Sequence, residues 1–457
     1  MKRQPSPIAK VVSLAAVSTL ALSACTPGSN IESSQETSAG GAEVTTDIAS
    51  LGEITLSVWD QEVRGGQNKQ ITRLNAAFEE KYPNVTIDRN SQSFDDLGTT
   101  LRLALSGKDA PDVVQANNGR SDMGAFVKAN QIISLEPYAE AYGWKDRYPE
   151  SILQYSTYSA DGKTFGEGNL YGLPQVGEVV GIFYSKSKLD KLGLEPPKTW
   201  AEFEDALATA KKAGEVPINL GNLEQWPALH VFGPVQGAHV PVDVITTLAL
   251  GNEGVSWTTP ENRQAAKQLG RWAAKGYLGK APNGTAYNDA WNQFASGEGV
   301  FLVAGSWLAA GLDSEMGSNV GFMAPPPVEA GDPPVTTGGT GLPFAITSGS
   351  DHPDAAAAYI DFITSDEAMQ VLADTGNVPV LDTASYAPES GVLKDVFEVY
   401  GEVTTEGSIL PYLDYATPTM AETLGAGLQG LIAGRLTAKE FLQKAQADYE
   451  EFINSGS

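Results

Sequence analysis

Side chains able to do chemistry are few in this sequence, and those present suit recognition better than turnover. The histidines are His230, His239 and His352. None stands four residues from another and none has a cysteine beside it, so neither a metal pair nor a Cys/His nucleophile is spelled out. His352 precedes Pro353 and reads as a surface helix cap. There is no G-x-S-x-G elbow and no H-E-x-x-H, and Gly338-Gly-Thr-Gly341 lacks the Lys-Ser/Thr that a phosphate loop needs, so it reads as a tight turn. Acid pairs such as Asp95-Asp96 resemble a glycosidase couple, but 56 acids make chance pairing easy. What remains is aromatic. Trp59-Asp60-Gln61, Glu224-Gln225-Trp226-Pro227 and Gly305-Ser306-Trp307 set indoles beside turn signals, amides and carboxylates. An indole stacks on the C–H face of a sugar, and planar amides and carboxylates take its hydroxyls in paired hydrogen bonds. Aromatic faces next to such groups are what a saccharide cleft needs. Trp200, Trp272 and Trp291 fall within predicted helices and read as packing, while Trp257, before Thr258-Thr-Pro260, fits either role.

Alternating strands and helices would position these groups. Ile54-Thr-Leu-Ser-Val-Trp59 reads as a strand, and Ile71, Leu74, Phe78 and Tyr82 lie on one face of a helix ended by Pro83-Asn84. Val85–Asp88 is a second strand. Leu97, Leu101 and Leu105 mark another helix, and Ala110-Pro-Asp-Val-Val-Gln115 a third strand. Such alternation implies α/β architecture with a parallel sheet, whose ligands sit at the carboxyl ends of the strands. Residues just after Trp59, Ile87 and Gln115 are therefore the first to inspect. Farther on, Gly181–Tyr184, Val300–Val303 and Phe344–Ile346 read as strands, and Thr199, Thr437 and Thr419, each followed three residues later by Glu, as helix caps.

The chain has 457 residues, which suggests two or three domains, and 42% hydrophobic content, enough for a packed core. Its formal charge of −26 disfavours nucleic acid and polybasic membrane docking. The N-terminus opens Met1-Lys-Arg, continues in an apolar run from Val11 to Leu22, and reaches Leu22-Ser-Ala-Cys25. The basic start, short apolar run and small residues before a cut make residues 1–24 a secretory signal peptide, and the run is shorter than the roughly 20 residues a bilayer span needs. Leu22-Ser-Ala-Cys25 resembles the bacterial lipobox, which implies acylation of Cys25 and an extracytoplasmic lipoprotein held by acyl chains. Residues 25–50 then read as the lipidated cysteine and a flexible tether, too poor in apolar groups to order itself and with a mean reach of roughly 25–30 Å.

Taken in order, further motifs resemble those of the extracellular solute-binding proteins of ABC importers, in the carbohydrate-binding group that includes maltose-binding protein. They are Ile54–Trp59, Phe78-Glu-Glu-Lys-Tyr-Pro83, Ala110-Pro-Asp-Val-Val114, Tyr171-Gly-Leu-Pro174, Phe183-Tyr-Ser-Lys186, Pro197-Lys-Thr-Trp-Ala-Glu-Phe203, Phe294-Ala-Ser-Gly297 with Gly305-Ser-Trp307, Gly376-Asn-Val-Pro379 and Leu431-Ile-Ala-Gly434. The likeness spans about residues 52–453. It implies a two-lobe periplasmic-binding-protein-like α/β fold, each lobe a mostly parallel sheet flanked by helices. One lobe would hold 51–175 plus 321–375 and the other 176–320 plus 376–457, with crossings near Pro174–Glu178, Val320–Pro325 and Gly376–Pro379.

The resemblance also implies ligand contacts at Asp60, Gln61 and Glu62 after the first strand, Asn117 and Asn118 after the third, and Glu178 at a crossing. Glu224 and Trp226, Trp307 as a stacking platform, Gly339 and Thr340 through backbone, and Asp414 and Tyr415 complete the set. Where some maltodextrin binders carry an aromatic just after the Pro-Asp strand this chain has Ala116, which thins the stacking set on that lobe. The expected partners are a sugar, membrane permease subunits and, through the anchor on Cys25, the membrane itself. No cofactor, metal or catalytic residue is expected, and the protein is read as a monomer. Competing readings are the same fold holding a peptide, polyamine or metal chelate, a secreted glycoside hydrolase, or a purely structural surface lipoprotein.

Overall fold

The computed structural model describes residues 44–107 and 110–455. The expected leader, Cys25 and the tether as far as residue 43 lie outside them. The expectation of loose chain up to Ser50 does not extend through residues 44–50. Ile48, in a 3-10 turn Ile48–Leu51, is 1% exposed, and the Thr45 amide donates to Asp354. One buried isoleucine and two long-range hydrogen bonds, the second from the Asn84 side-chain amide to the Ile48 carbonyl, are what the composition of this stretch concealed.

Among the described residues eleven strands form two main sheets and one small ladder. In the first sheet β1 (Ile54–Asp60) pairs in parallel with β2 (Val85–Ser91) and β3 (Val113–Gln115). β1 alternates because Ile54, Leu56 and Val58 point into the core, and the helix Gly65–Lys81 covers them with Ile71, Leu74 and Phe78. Phe78 meets Tyr359 edge to face at 5.4 Å, locking that helix to the helix Pro353–Ile363. Ser93 caps the next helix, Phe94–Ala104, by accepting from the Asp96 amide. A two-residue ladder of β4 (Thr157–Tyr158) and β5 (Asn169–Leu170) follows.

The second sheet is built on β6 (Gly177–Ser185), which pairs antiparallel with β7 (Phe301–Gly305), β8 (Val320–Met323) and β9 (Val335–Thr340). β10 (Phe344–Ile346) returns to the first sheet, antiparallel to β3, and β11 (Ser408–Leu410) pairs in parallel with β9. The expectation of mostly parallel sheets therefore holds in the first sheet and fails in the second. The reason is local. A helix joins β7 to β8 and makes them run the same way, as a βαβ unit should, but β6 is inserted between them in the opposite sense. Alternation of elements fixes the direction of the flanking strands and not that of the intruder.

Pairing of β8 and β9 with β6 also moves one expected boundary. Residues 320–323 and 335–340 belong with the second sheet, so the chain crosses back between Thr340 and Phe344 and not near Val320–Pro325. The three crossings lie side by side. Gly341 donates its amide to Val176, Gly177 to Val378, and Val380 to Gln175. Thr199 and Thr437 cap their helices, Thr437 with the reciprocal Glu440 bond of a capping box. Thr419 and His352 make no side-chain cap bond. Trp200 and Trp272 are buried and stacked at 5.8 Å, and Trp257 is fully buried. Among the described residues no helix is long and apolar enough to cross a membrane.

Candidate functional site

A cleft of about 670 Å³ opens where the two sheets face each other. From the first sheet's side it is walled by Gln61, by Arg64 and Gln67 at the start of the helix Gly65–Lys81, by Phe94, and by Asn117 after β3. Facing them stand Glu178 at the start of β6, Trp226, Leu229 and His230 around the start of the helix Pro227–Gly237, Trp307 after β7, and Tyr412, Asp414 and Tyr415 after β11. Leu342, in a crossing, closes the back. Most of these groups follow strand ends or open helices, where an open α/β sheet places its ligands.

Of the residues expected to meet ligand, Gln61, Asn117, Glu178, Trp226, Trp307, Asp414 and Tyr415 line the cleft. Asp60, Glu62, Asn118, Glu224, Gly339 and Thr340 do not. Asp60 is fully buried and both its oxygens are taken by Arg89, at 2.5 Å to Nε and 2.7 Å to Nη2. It also accepts the Glu62 amide, so it shapes the β1 loop from behind. Glu62 accepts from Gln115 Nε2 at 2.7 Å. Asn118 donates to Thr340 Oγ1 at 3.5 Å, a bond between the ends of β3 and β9. Glu224 accepts the Tyr287 amide at the start of the helix Tyr287–Ala295. The Gly339 carbonyl accepts from the Tyr400 hydroxyl, which turns it from the cleft. In each case a partner from another element bonds the residue, although Glu62 Oε2 is left without one.

The aromatic wall is fixed in place. Trp307 donates its indole N–H to Tyr287 and stands 5.3 Å from the His230 ring, which lies 5.4 Å from Trp226. Tyr287 packs on Trp226 at 4.5 Å, and Phe94 reaches Trp226 from the opposite wall at 5.9 Å. Gln225 holds a left-handed φ of 72°, a strained turn that aims the next residue, Trp226.

Burial governs the charges. The Glu178 carboxyl is pushed up to about 8, first by burial and then by nearby Glu62, with the Arg64 cation opposing. Glu62 rises to about 7 by burial, against its bond from Gln115. Asp414 rises to about 6, again by burial. His230 falls to about 4 for the same reason, so its imidazole is neutral at pH 7. Several buried polar atoms face this region without a partner at hydrogen-bond geometry. They include Gln67 Oε1, Arg64 Nε and His230 Nδ1. Such atoms carry a desolvation cost that a polar guest would relieve. Among the described residues no group of His, Cys, Asp and Glu could hold a metal ion.

Arg64, Gln67, Phe94, Leu229, His230, Leu342 and Tyr412 were not among the expected contacts. Phe94 lies just past the end of β2, which runs to Ser91 and so beyond the expected end at Asp88, and Arg64 four residues beyond Asp60. Tyr412 follows a three-residue strand that leaves no periodic signal.

A family profile described as the bacterial extracellular solute-binding protein matches residues 65–370. The chain belongs to that family. A solute-binding protein binds and does not turn over its guest, so this chain is not an enzyme. Its relatives include the multiple sugar-binding protein of Streptococcus mutans serotype c, 24% identical over 72% of this chain and 75% of the relative. An uncharacterized ABC transporter extracellular-binding protein of Pyrococcus horikoshii is 25% identical over 88% and 87%. Among solved structures, a chitin oligosaccharide binding protein superposes with a TM-score of 0.72 at 24% identity, covering 88% of this solute-binding protein and 100% of that chain. The solute receptor AcbH, described as preferring β-D-galactopyranose, gives 0.75 at 18% identity over 88% and 100%. These likenesses establish the two-lobe α/β fold.

Proposed function

We propose that this solute-binding protein captures a saccharide between its lobes and delivers it unchanged to the permease of an ABC importer. The observation that carries the reading is the facing of two unlike walls. Trp307 and Trp226 offer ring faces from one side, while Gln61, Gln67 and Arg64 offer amides and a guanidinium from the other. Sugars present an apolar face and a ring of hydroxyls, and this pairing answers both. The polar atoms left without partners lie on both sides, so a guest satisfies them only when the lobes are together, and binding shifts the open–closed population. Glu178, Asp414 and Asn117 join the proposed contacts, with Tyr415 stacking beside them. The names of the sugar-binding relatives support this reading. A polyamine is disfavoured by Arg64, a cation on the wall of the cleft.

The moving halves in this reading are residues 51–175 with 344–375, and 176–340 with 376–457. Cys25 carries the acyl anchor, which keeps the protein on the outer face of the cytoplasmic membrane as a monomer beside its permease. Two experiments test the reading. A calorimetric and melting-shift screen of mono- and oligosaccharides on the Cys25→Ser chain should find at least one sugar that binds and raises the melting temperature. Silence across the panel, with a response to peptides or amines, would refute it. Cys25→Ser should also move the protein from the membrane to the soluble fraction; unchanged membrane fractionation would remove the anchor.

A further inference from the structure

Beyond Phe94 the cleft continues. A second compartment of about 600 Å³ runs along the helix Phe94–Ala104 and shares Phe94, Asn117 and Leu342 with the first. Its floor is apolar, formed by Leu97, Leu101 and Phe126, and its rim is polar. At the rim Arg102 pairs with Asp122 at 2.6 Å, and Asn117 donates to the same carboxylate at 3.1 Å. An apolar floor under a rim of amide, guanidinium and carboxylate again suits a ring with one C–H face and peripheral hydroxyls. We infer that the second compartment is a further subsite that receives the next sugar units of the same guest, so that the solute is an oligosaccharide and Phe94 is the partition across which its chain passes. This inference rests on the saccharide reading above.

Gly98 allows a direct test. It lies on the wall of the second compartment and not of the first, and a Cβ placed there meets nothing within 4 Å. Gly98→Trp therefore adds a bulky ring at the wall of the second compartment with no clash at its Cβ, and it replaces a helix-interior glycine with a better helix former. Gly98→Ala leaves the space open and serves as the control. Calorimetry would use three ladders: glucose, maltose and maltotriose; N-acetylglucosamine and its β-1,4 dimer and trimer; galactose, melibiose and raffinose. In the ladder that binds, Kd should fall tenfold or more from monomer to trimer in the parent and in Gly98→Ala. In Gly98→Trp that gain should vanish, with the monosaccharide Kd within twofold of the parent and the melting temperature no lower. Sugars that bind with no dependence on length, or a length gain that survives Gly98→Trp, would overturn the subsite and leave the saccharide reading standing. A gain seen with an aryl glycoside and not with a longer sugar would also overturn it. Failure of every sugar, monomers included, would sink both.

Discussion

Trp307 donates its indole N–H to the hydroxyl of Tyr287 at 2.7 Å. Tyr287 in turn has its backbone amide held by the Glu224 carboxylate at 3.0 Å, and its ring lies against Trp226. Glu224 thus acts behind the wall, positioning the ring that positions the platform. Trp307→Ala should weaken binding of the true sugar by about 1–3 kcal/mol, the scale of a lost aromatic anchor, with the melting temperature little changed. Tyr287→Phe keeps the packing and removes one hydrogen bond, so calorimetry should read a smaller loss, about 0.5–1.5 kcal/mol. Unchanged affinity in Trp307→Ala would take the indole out of the site.

Gly305 sets how close Trp307 can lie. A Cβ there would run into the indole ring. Gly305→Ala should therefore imitate Trp307→Ala in affinity while Trp307 is still present. Tryptophan fluorescence would report the displaced ring, and an unmoved spectrum with full affinity would contradict the packing.

Burial of Glu178 should also appear in stability against pH. Its folded pKa, about 8, lies above the ordinary carboxyl value, so the folded state holds a proton that the unfolded chain has lost. Stability must fall as pH rises between those two values, by at most about 1.4 kcal/mol per pH unit for one group. Glu62, at about 7, acts in the same direction over a narrower window. Glu178→Gln should flatten the decline of melting temperature between pH 5 and 8. A variant whose melting temperature falls as steeply as the parent's would assign the decline to other groups.

Arg120 ties the halves together outside the cleft. From the loop after β3 it donates to the carbonyls of Leu250, at 2.7 Å, and Ala416, at 3.2 Å, both on the side of the second sheet. Its guanidinium lies over Phe452 at 4.8 Å and Phe165 at 5.5 Å. Burial lowers its pKa to about 10, still charged at neutral pH. Hydrogen bonds from a charged group are worth about 1.5–3 kcal/mol each. Arg120→Ala should weaken the ligand roughly tenfold or more without touching it, and small-angle scattering should show a larger radius for the unliganded chain. An unchanged radius and affinity would remove the latch.

Asp60→Asn tests the reassignment of the first expected contact. Breaking one side of a buried ion pair typically costs about 3–5 kcal/mol. The variant should melt well below the parent, yet bind sugar with near-parent affinity at temperatures where it stays folded.

How much of this was legible depended on whether a signal was local. The first sheet could be read because β1 alternates and its covering helix keeps a clean apolar face. Tyr412 could not, because β11 is three residues long and pairs with a strand some seventy positions away. Asp60 and Gln61 are neighbours in sequence, yet only Gln61 lines the cleft, since β1 ends at Asp60 and Arg89 holds that carboxylate behind the loop. Nothing in Trp-Asp-Gln-Glu tells which acid meets Arg89. That pairing depends on the register of β1 with β2, which only the folded chain displays. His230, set aside for want of a chemical partner, stands between Trp226 and Trp307, where ring contact and not proton chemistry defines its place.

The bonds that link Gln175, Val176 and Gly177 to Val380, Gly341 and Val378 have a mechanical consequence. Three ribbons fastened edge to edge resist twisting and sliding, and bend easily about one line only. The mouth then works as a jaw with a single coordinate, and one well-chosen pair of fluorophores across it would follow the whole motion.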